Sequence, residues 1–89
     1  MNEAYLEVTF RRGRPLAAYY YLPRKPGQRS YRTRRVAPGL VLDLARDGQP
    51  IGIEITAPRK LTVGALNRVL TKLGLSRVTR SELGPLLAA

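Results

Sequence analysis

Residues 40–55 constrain the fold more than any other part of the chain. Two alternating aliphatic runs flank Asp47-Gly48. Asp-Gly between such runs signals a tight β-hairpin, because a type I′ turn needs positive φ at both central residues. With Asp47 and Gly48 at the turn, Leu44 faces Ile51, Leu42 faces Ile53 and Leu40 faces Ile55. All six aliphatics then share one sheet face, and a one-residue slip would turn them to solvent. Val41, Asp43, Gly52 and Glu54 take the opposite face. Pro50 opens the second strand, where a missing N–H is tolerated.

Upstream, Leu6, Val8 and Phe10 alternate with Tyr5, Glu7 and Thr9, the period of a strand. Residues 16–22 form a second strand that is apolar on both faces, so both faces need cover. A two-residue Arg12-Gly13 turn would set Thr9 against Leu16. A longer loop sets Phe10 against Leu16 and Val8 against Ala18, and is preferred because it keeps the aliphatics together. Residues 23–30 hold two prolines and read as a loop. Residues 31–36 read as extended, and Pro38-Gly39 as a bend before the hairpin.

The segment from Gly39 to Ala57 resembles the core motif of the domain of unknown function 2283 family. The shared pattern is an aliphatic-Asp strand (Leu42-Asp43), an acidic-Gly turn (Asp47-Gly48) and Gly52-Ile53-Glu54-Ile55. Tyr19-Tyr20-Tyr21-Leu22 is similar to the family's upstream aromatic strand, so the resemblance covers residues 5–57. It departs at Arg11, Arg12 and Arg14, where acidic residues would be expected. The family has no assigned activity, so the resemblance implies a short antiparallel sheet and no reaction.

The C-terminal third changes period. Leu66, Val69, Leu70 and Leu73 recur at helical spacing. Thr62 fits the N-cap, with Leu61 and Leu66 as a hydrophobic staple. Gly74 fits the left-handed position that ends the helix, with Leu75 behind it. Thr79 and Glu82 form a capping box flanked by Val78 and Leu83, and Gly84-Pro85 should stop that second helix early. The apolar tail, residues 86–89, is expected to dock. Helix, glycine, link and helix invite a DNA-reading pair, but the second helix is too short, so both are expected to pack on the sheet. The expected fold is therefore α+β in a single small domain, 1–89. A meander-like four-stranded antiparallel sheet (1–57) precedes a helical part (58–89), with one main helix and a short second helix on one face.

Composition removes several chemistries. The chain has no cysteine and no histidine, which excludes disulfides, thiolate metal sites and imidazole catalysis. No apolar run approaches the ~20 residues of a membrane span. The start of the chain does not read as a signal peptide, and a cytoplasmic protein without membrane contact is expected. Asp43 and Glu54 are diagonal neighbours in the hairpin register and could share a proton or a cation. Pairing with Arg32, Arg34 or Arg35 is the plainer role, so no enzyme, catalytic residue, metal or cofactor is expected.

Charge carries the functional expectation. Sixteen Lys+Arg stand against six Asp+Glu, a net of +10. Residues 11–35 hold nine of the basic residues and no acid. Clustered arginine offers planar forks that match phosphate. Arg24, Lys25, Arg29, Arg32, Arg34 and Arg35 are thus the candidate nucleic-acid contacts, while Arg68 and Lys72 fall outside the acid-free segment and are expected to matter less. Tyr19, Tyr20, Tyr21 and Tyr31 could stack bases or pack. Ala17, Tyr19, Tyr21 and Val41 form an apolar second face expected to bury itself in a homodimer. Two functions stay open: a small basic module on RNA or DNA backbone, and an interaction module. The latter would be a homodimer or the partner of an acidic protein, as in a toxin–antitoxin-like pair.

Overall fold

The computed structural model describes residues 3–87. Strands β1 (Tyr5–Arg11), β2 (Arg14–Tyr21), β3 (Arg32–Ala37), β4 (Leu40–Leu44) and β5 (Pro50–Ile55) form one antiparallel sheet in the order β1-β2-β5-β4-β3. The count is five, not the four expected. The extended segment after the loop is β3, which pairs with β4 from Arg32 opposite Leu44 to Ala37 opposite Leu40. Pro38 followed by Gly39 at φ +74° supplies the tight turn between them. Nor is the sheet a meander. β2 lies beside β5, so β2-β5-β4-β3 is a Greek key whose long link is the proline-broken loop.

The two hairpins each match part of the expected register. Leu42 faces Ile53 and Leu40 faces Ile55, with Val41 opposite Glu54 and Asp43 opposite Gly52. The pairing of Leu44 with Ile51 does not form, because Leu44 faces Pro50 and Ile51 is an extra, bulged residue. The turn is the cause. Only Gly48 has positive φ, and the Gly48 N–H donates to the Ala45 carbonyl, so the loop is the three-residue Arg46-Asp47-Gly48. Asp47 Oδ1 caps it by accepting the Gln49 N–H at 3.0 Å.

In the first hairpin the two-residue turn wins: Arg12 (φ +53°) and Gly13 (φ +76°) both adopt positive φ, and Arg11 faces Arg14. Phe10 therefore faces Pro15, not Leu16. A bulge at Leu16 then restores Val8 opposite Ala18, the pair that keeps the apolar residues together. Leu16 is left 54% exposed.

Beyond the sheet come a 3-10 turn (Pro58–Lys60), α1 (Val63–Lys72) and a four-residue α2 (Gly84–Leu87). The Thr62 hydroxyl accepts the Ala65 N–H at 3.1 Å. At the far end Gly74 (φ +72°) lets the Leu75 N–H donate to the Leu70 carbonyl and the Gly74 N–H to the Thr71 carbonyl, a Schellman ending. The capping box also forms: the Thr79 N–H donates to Glu82 Oε1 (2.8 Å) and the Glu82 N–H to Thr79 Oγ1 (3.2 Å). It closes a turn rather than a helix. Gly84-Pro85 opens α2 instead of stopping it, since proline is tolerated in a first helical turn. Ala88 and Ala89 lie outside the described residues.

α1 and the C-terminal segment cover one sheet face. Leu66, Val69, Leu70, Val78, Leu83 and Leu86 pack on Ala18, Tyr20, Leu22, Leu40, Leu42, Ile53 and Ile55. Asn67 fastens the link after α1. Its Nδ2 donates to the Val78 carbonyl at 3.0 Å and its Oδ1 accepts the Val78 N–H at 2.7 Å.

Candidate nucleic-acid interface

The six candidate cations do not form one surface. Arg24 is half-buried and serves the fold. Its Nη2 donates to the Ile51 carbonyl at 2.5 Å, and its guanidinium lies 5.5 Å from the centre of the Tyr21 ring. The same carbonyl accepts the Leu22 N–H. Lys25 is exposed in the turn closed by the Gln28 side chain. Arg29 lines a cleft of about 620 Å³ between the loop and the β4–β5 turn, which it shares with Arg46 and Asp47.

Arg32, Arg34 and Arg35 are exposed on β3, an edge strand. Arg32 and Arg34 face Leu44 and Leu42, on the helix side; Arg35 faces Val41, on the open side. The cations thus wrap the edge. Between that edge and α1 runs a groove of about 600 Å³. Its walls carry Arg34, Arg35, Lys60, Arg68 and Lys72, and no carboxylate lines it. A shallower depression across α1 shares Arg68 and Lys72 and adds Arg77. β3 and α1 therefore present one continuous basic surface. Arg68 and Lys72, which fall outside the acid-free segment, line the same groove as Arg34 and Arg35. They stand four apart on the polar side of α1, a spacing that puts two side chains on one helix face. That spacing was the sequence signal for them. Only the fold could bring them to β3.

The open sheet face has the opposite character. Glu7, Tyr19, Glu54, Val41 and Arg35 form one cross-strand row; Tyr5, Tyr21, Gly52, Asp43 and Thr33 form the next. Three of the six acids in the chain stand here. The expected interface residues Tyr19, Tyr21 and Val41 come together on this face with Ala17 at its margin, all half-buried. Tyr5 stacks on Tyr21 at 4.4 Å, and Tyr19 tilts against Tyr21 at 4.6 Å. Tyr19 lies over Gly52, where a Cβ would run into the phenol ring. Tyr20 is core, and Tyr31 stands by Arg46 at the far end of β3, so no tyrosine lines the basic groove.

Asp43 is the buried acid of the sheet, and Tyr19 satisfies it: the phenol O–H donates to Oδ2 at 2.5 Å. Asp43 therefore does not pair with the β3 arginines or Glu54 in a proton-sharing dyad. Among the described residues no group of three or more His, Cys, Asp or Glu comes together.

Burial first, then the Asp43 carboxylate, hold the Tyr19 hydroxyl well above the usual phenol range; Arg24 partly opposes them. An unfolded tyrosine releases its proton near pH ~10, so above that the unfolded state binds fewer protons than the native state and stability falls as pH rises. Burial pushes Tyr20 and Tyr21 the same way. Tyr19→Phe is thus expected to lose less stability than the parent between about pH 8 and about pH 11, read from urea midpoints. Equal losses would assign the alkaline sensitivity elsewhere.

No family model, curated protein or solved structure matches the chain. Among the described residues no helix is long and apolar enough to cross a membrane.

Proposed function

We propose that this chain is a small, non-enzymatic module that holds the phosphate backbone of RNA or DNA in the groove between β3 and α1. The observation that carries this reading is five cations from three elements, β3, the 3-10 turn and α1, around one groove with no carboxylate among them. Arg32 extends the surface along β3, and Arg77 extends it beyond α1. Arg24 is left out, because its guanidinium is committed to the Ile51 carbonyl. The absence of aromatic or amide side chains from the lining favours backbone contact over base reading. Self-repulsion among these cations works against the compact state, and a polyanion relieves it.

The test is a titration of labelled random-sequence oligonucleotides at a series of salt concentrations. Four to five phosphates neutralised give a log K against log salt slope of about −3.6 to −4.5 on duplex, and shallower on single strands. No retention of either nucleic acid at about 50 mM salt, or binding indifferent to salt, would contradict the proposal.

An acidic protein partner is the second reading. Val36, Pro38, Val69 and Leu73 give the groove an apolar lining that suits a peptide as well as a phosphate chain. It predicts a loss of partner binding on neutralising the groove, with no oligonucleotide retained by the parent.

A further inference from the structure

The sheet has two free edges, β1 and β3. A free edge offers unpaired N–H and C=O groups to any strand that matches it, and proteins commonly block such edges with charge. β3 is blocked against itself: Arg32, Arg34 and Arg35 are all exposed, and a second β3 would bring arginine against arginine. β1 is not blocked. It is seven residues long and carries exposed charges of both signs, Glu7 and Arg11. It also exposes Phe10 (49%) and, beside its stacking on Tyr21, Tyr5 (46%).

We infer that the occupant of the β1 edge is a second copy of this chain, paired β1 to β1 about a two-fold axis at Thr9. An antiparallel strand pairing with itself sets residue i against a residue equally far beyond the centre. Centred on Thr9, Glu7 meets Arg11 of the second copy, and Arg11 meets its Glu7. Both residues lie on the open face with Thr9, two apart along the strand. On the helix side Val8, which is half-buried, meets the exposed Phe10 of the other copy, twice by symmetry. Neighbouring registers lose the opposite-charge pairs. Centring on Glu7 places carboxylate on carboxylate, centring on Phe10 pairs only residues 9–11 of the strand, and centring on Val8 sets Leu6 against Phe10 but leaves Glu7 against Thr9. The interface is isologous and closes. It joins two five-stranded sheets into one of ten and leaves a β3–α1 groove at each far end. This site is therefore separate from the proposed nucleic-acid groove, and either can fail without the other.

A charge-reversal pair tests it by sedimentation equilibrium at high micromolar concentration. The parent is expected at twice its 9.9 kDa mass. Glu7→Arg alone sets arginine against arginine, and Arg11→Glu alone sets glutamate against glutamate; each is expected to sediment as a monomer. An equal mixture of the two variants restores both opposite-charge pairs and should return the dimer mass. A single chain carrying both reversals should do the same, which guards against a variant that fails through misfolding. A parent that stays monomeric, single variants that remain dimeric, or a mixture and a double variant that both stay monomeric would each overturn the inference.

Discussion

Replacing Ile53 with alanine is expected to cost about 2–5 kcal/mol of stability, the range for emptying a buried aliphatic site. Ile53 is fully buried in the central strand of the sheet, facing Leu42 on one side and Tyr20 on the other. Helix α1 packs over the same core, so neighbouring side chains have little room to close the cavity. An 89-residue domain has roughly 4–13 kcal/mol in total, so this one change removes a large share of it. Glu54→Ala, one residue on, should stay within about 0.5 kcal/mol, because Glu54 is exposed on the open face. Urea unfolding of the two variants beside the parent makes the comparison. Similar losses would mean that the two side chains do not stand on opposite faces of β5.

Neutralising Arg34, Arg35, Arg68 and Lys72 to glutamine is expected to abolish most oligonucleotide affinity at low salt. Four phosphate contacts correspond to about 3–4 units of the log–log slope, so the variant's binding should be nearly flat with salt. The parent, by contrast, should weaken roughly 150–500-fold between about 50 and 200 mM salt. A control set of equal charge, Arg12, Arg14, Arg29 and Lys25 to glutamine, lies off the groove and should change the slope less. Equal loss from the two sets would mean that net charge alone drives binding. All eight positions are exposed, so neither set empties the core.

The sheet and helix were largely legible because local signals agreed with each other. Thr62, Gly74 and the Thr79–Glu82 pair each form the cap that their spacing announces. The alternation in residues 40–55 gives the central register, since only one register buries Leu40, Leu42, Ile53 and Ile55 together. Misreadings fell where backbone detail decides. Whether Asp47-Gly48 makes a two- or a three-residue loop depends on one φ angle, and that angle sets whether Ile51 pairs or bulges. Residues 31–36, by contrast, read as extended and do contribute β3, although arginine on both faces blurs their alternation. The groove was half visible. Arg34 and Arg35 stood out as part of an acid-free run, but Lys60 on the 3-10 turn and Arg68 and Lys72 on α1 join them only through the fold. Arg24 could not be set apart by charge, because its hydrogen bond to the Ile51 carbonyl cannot be seen in a charge count.

Polyanion binding is expected to be confined to the β3–α1 groove. Amide chemical-shift mapping during titration with a short oligonucleotide tests it most directly. The expected shifts concentrate at Arg34, Arg35, Lys60, Ala65, Arg68, Val69 and Lys72, all of which line that groove, and fade as salt is raised. Shifts concentrated on Tyr5, Tyr19 and Tyr21 of the open face, or spread evenly over every exposed arginine, would contradict it.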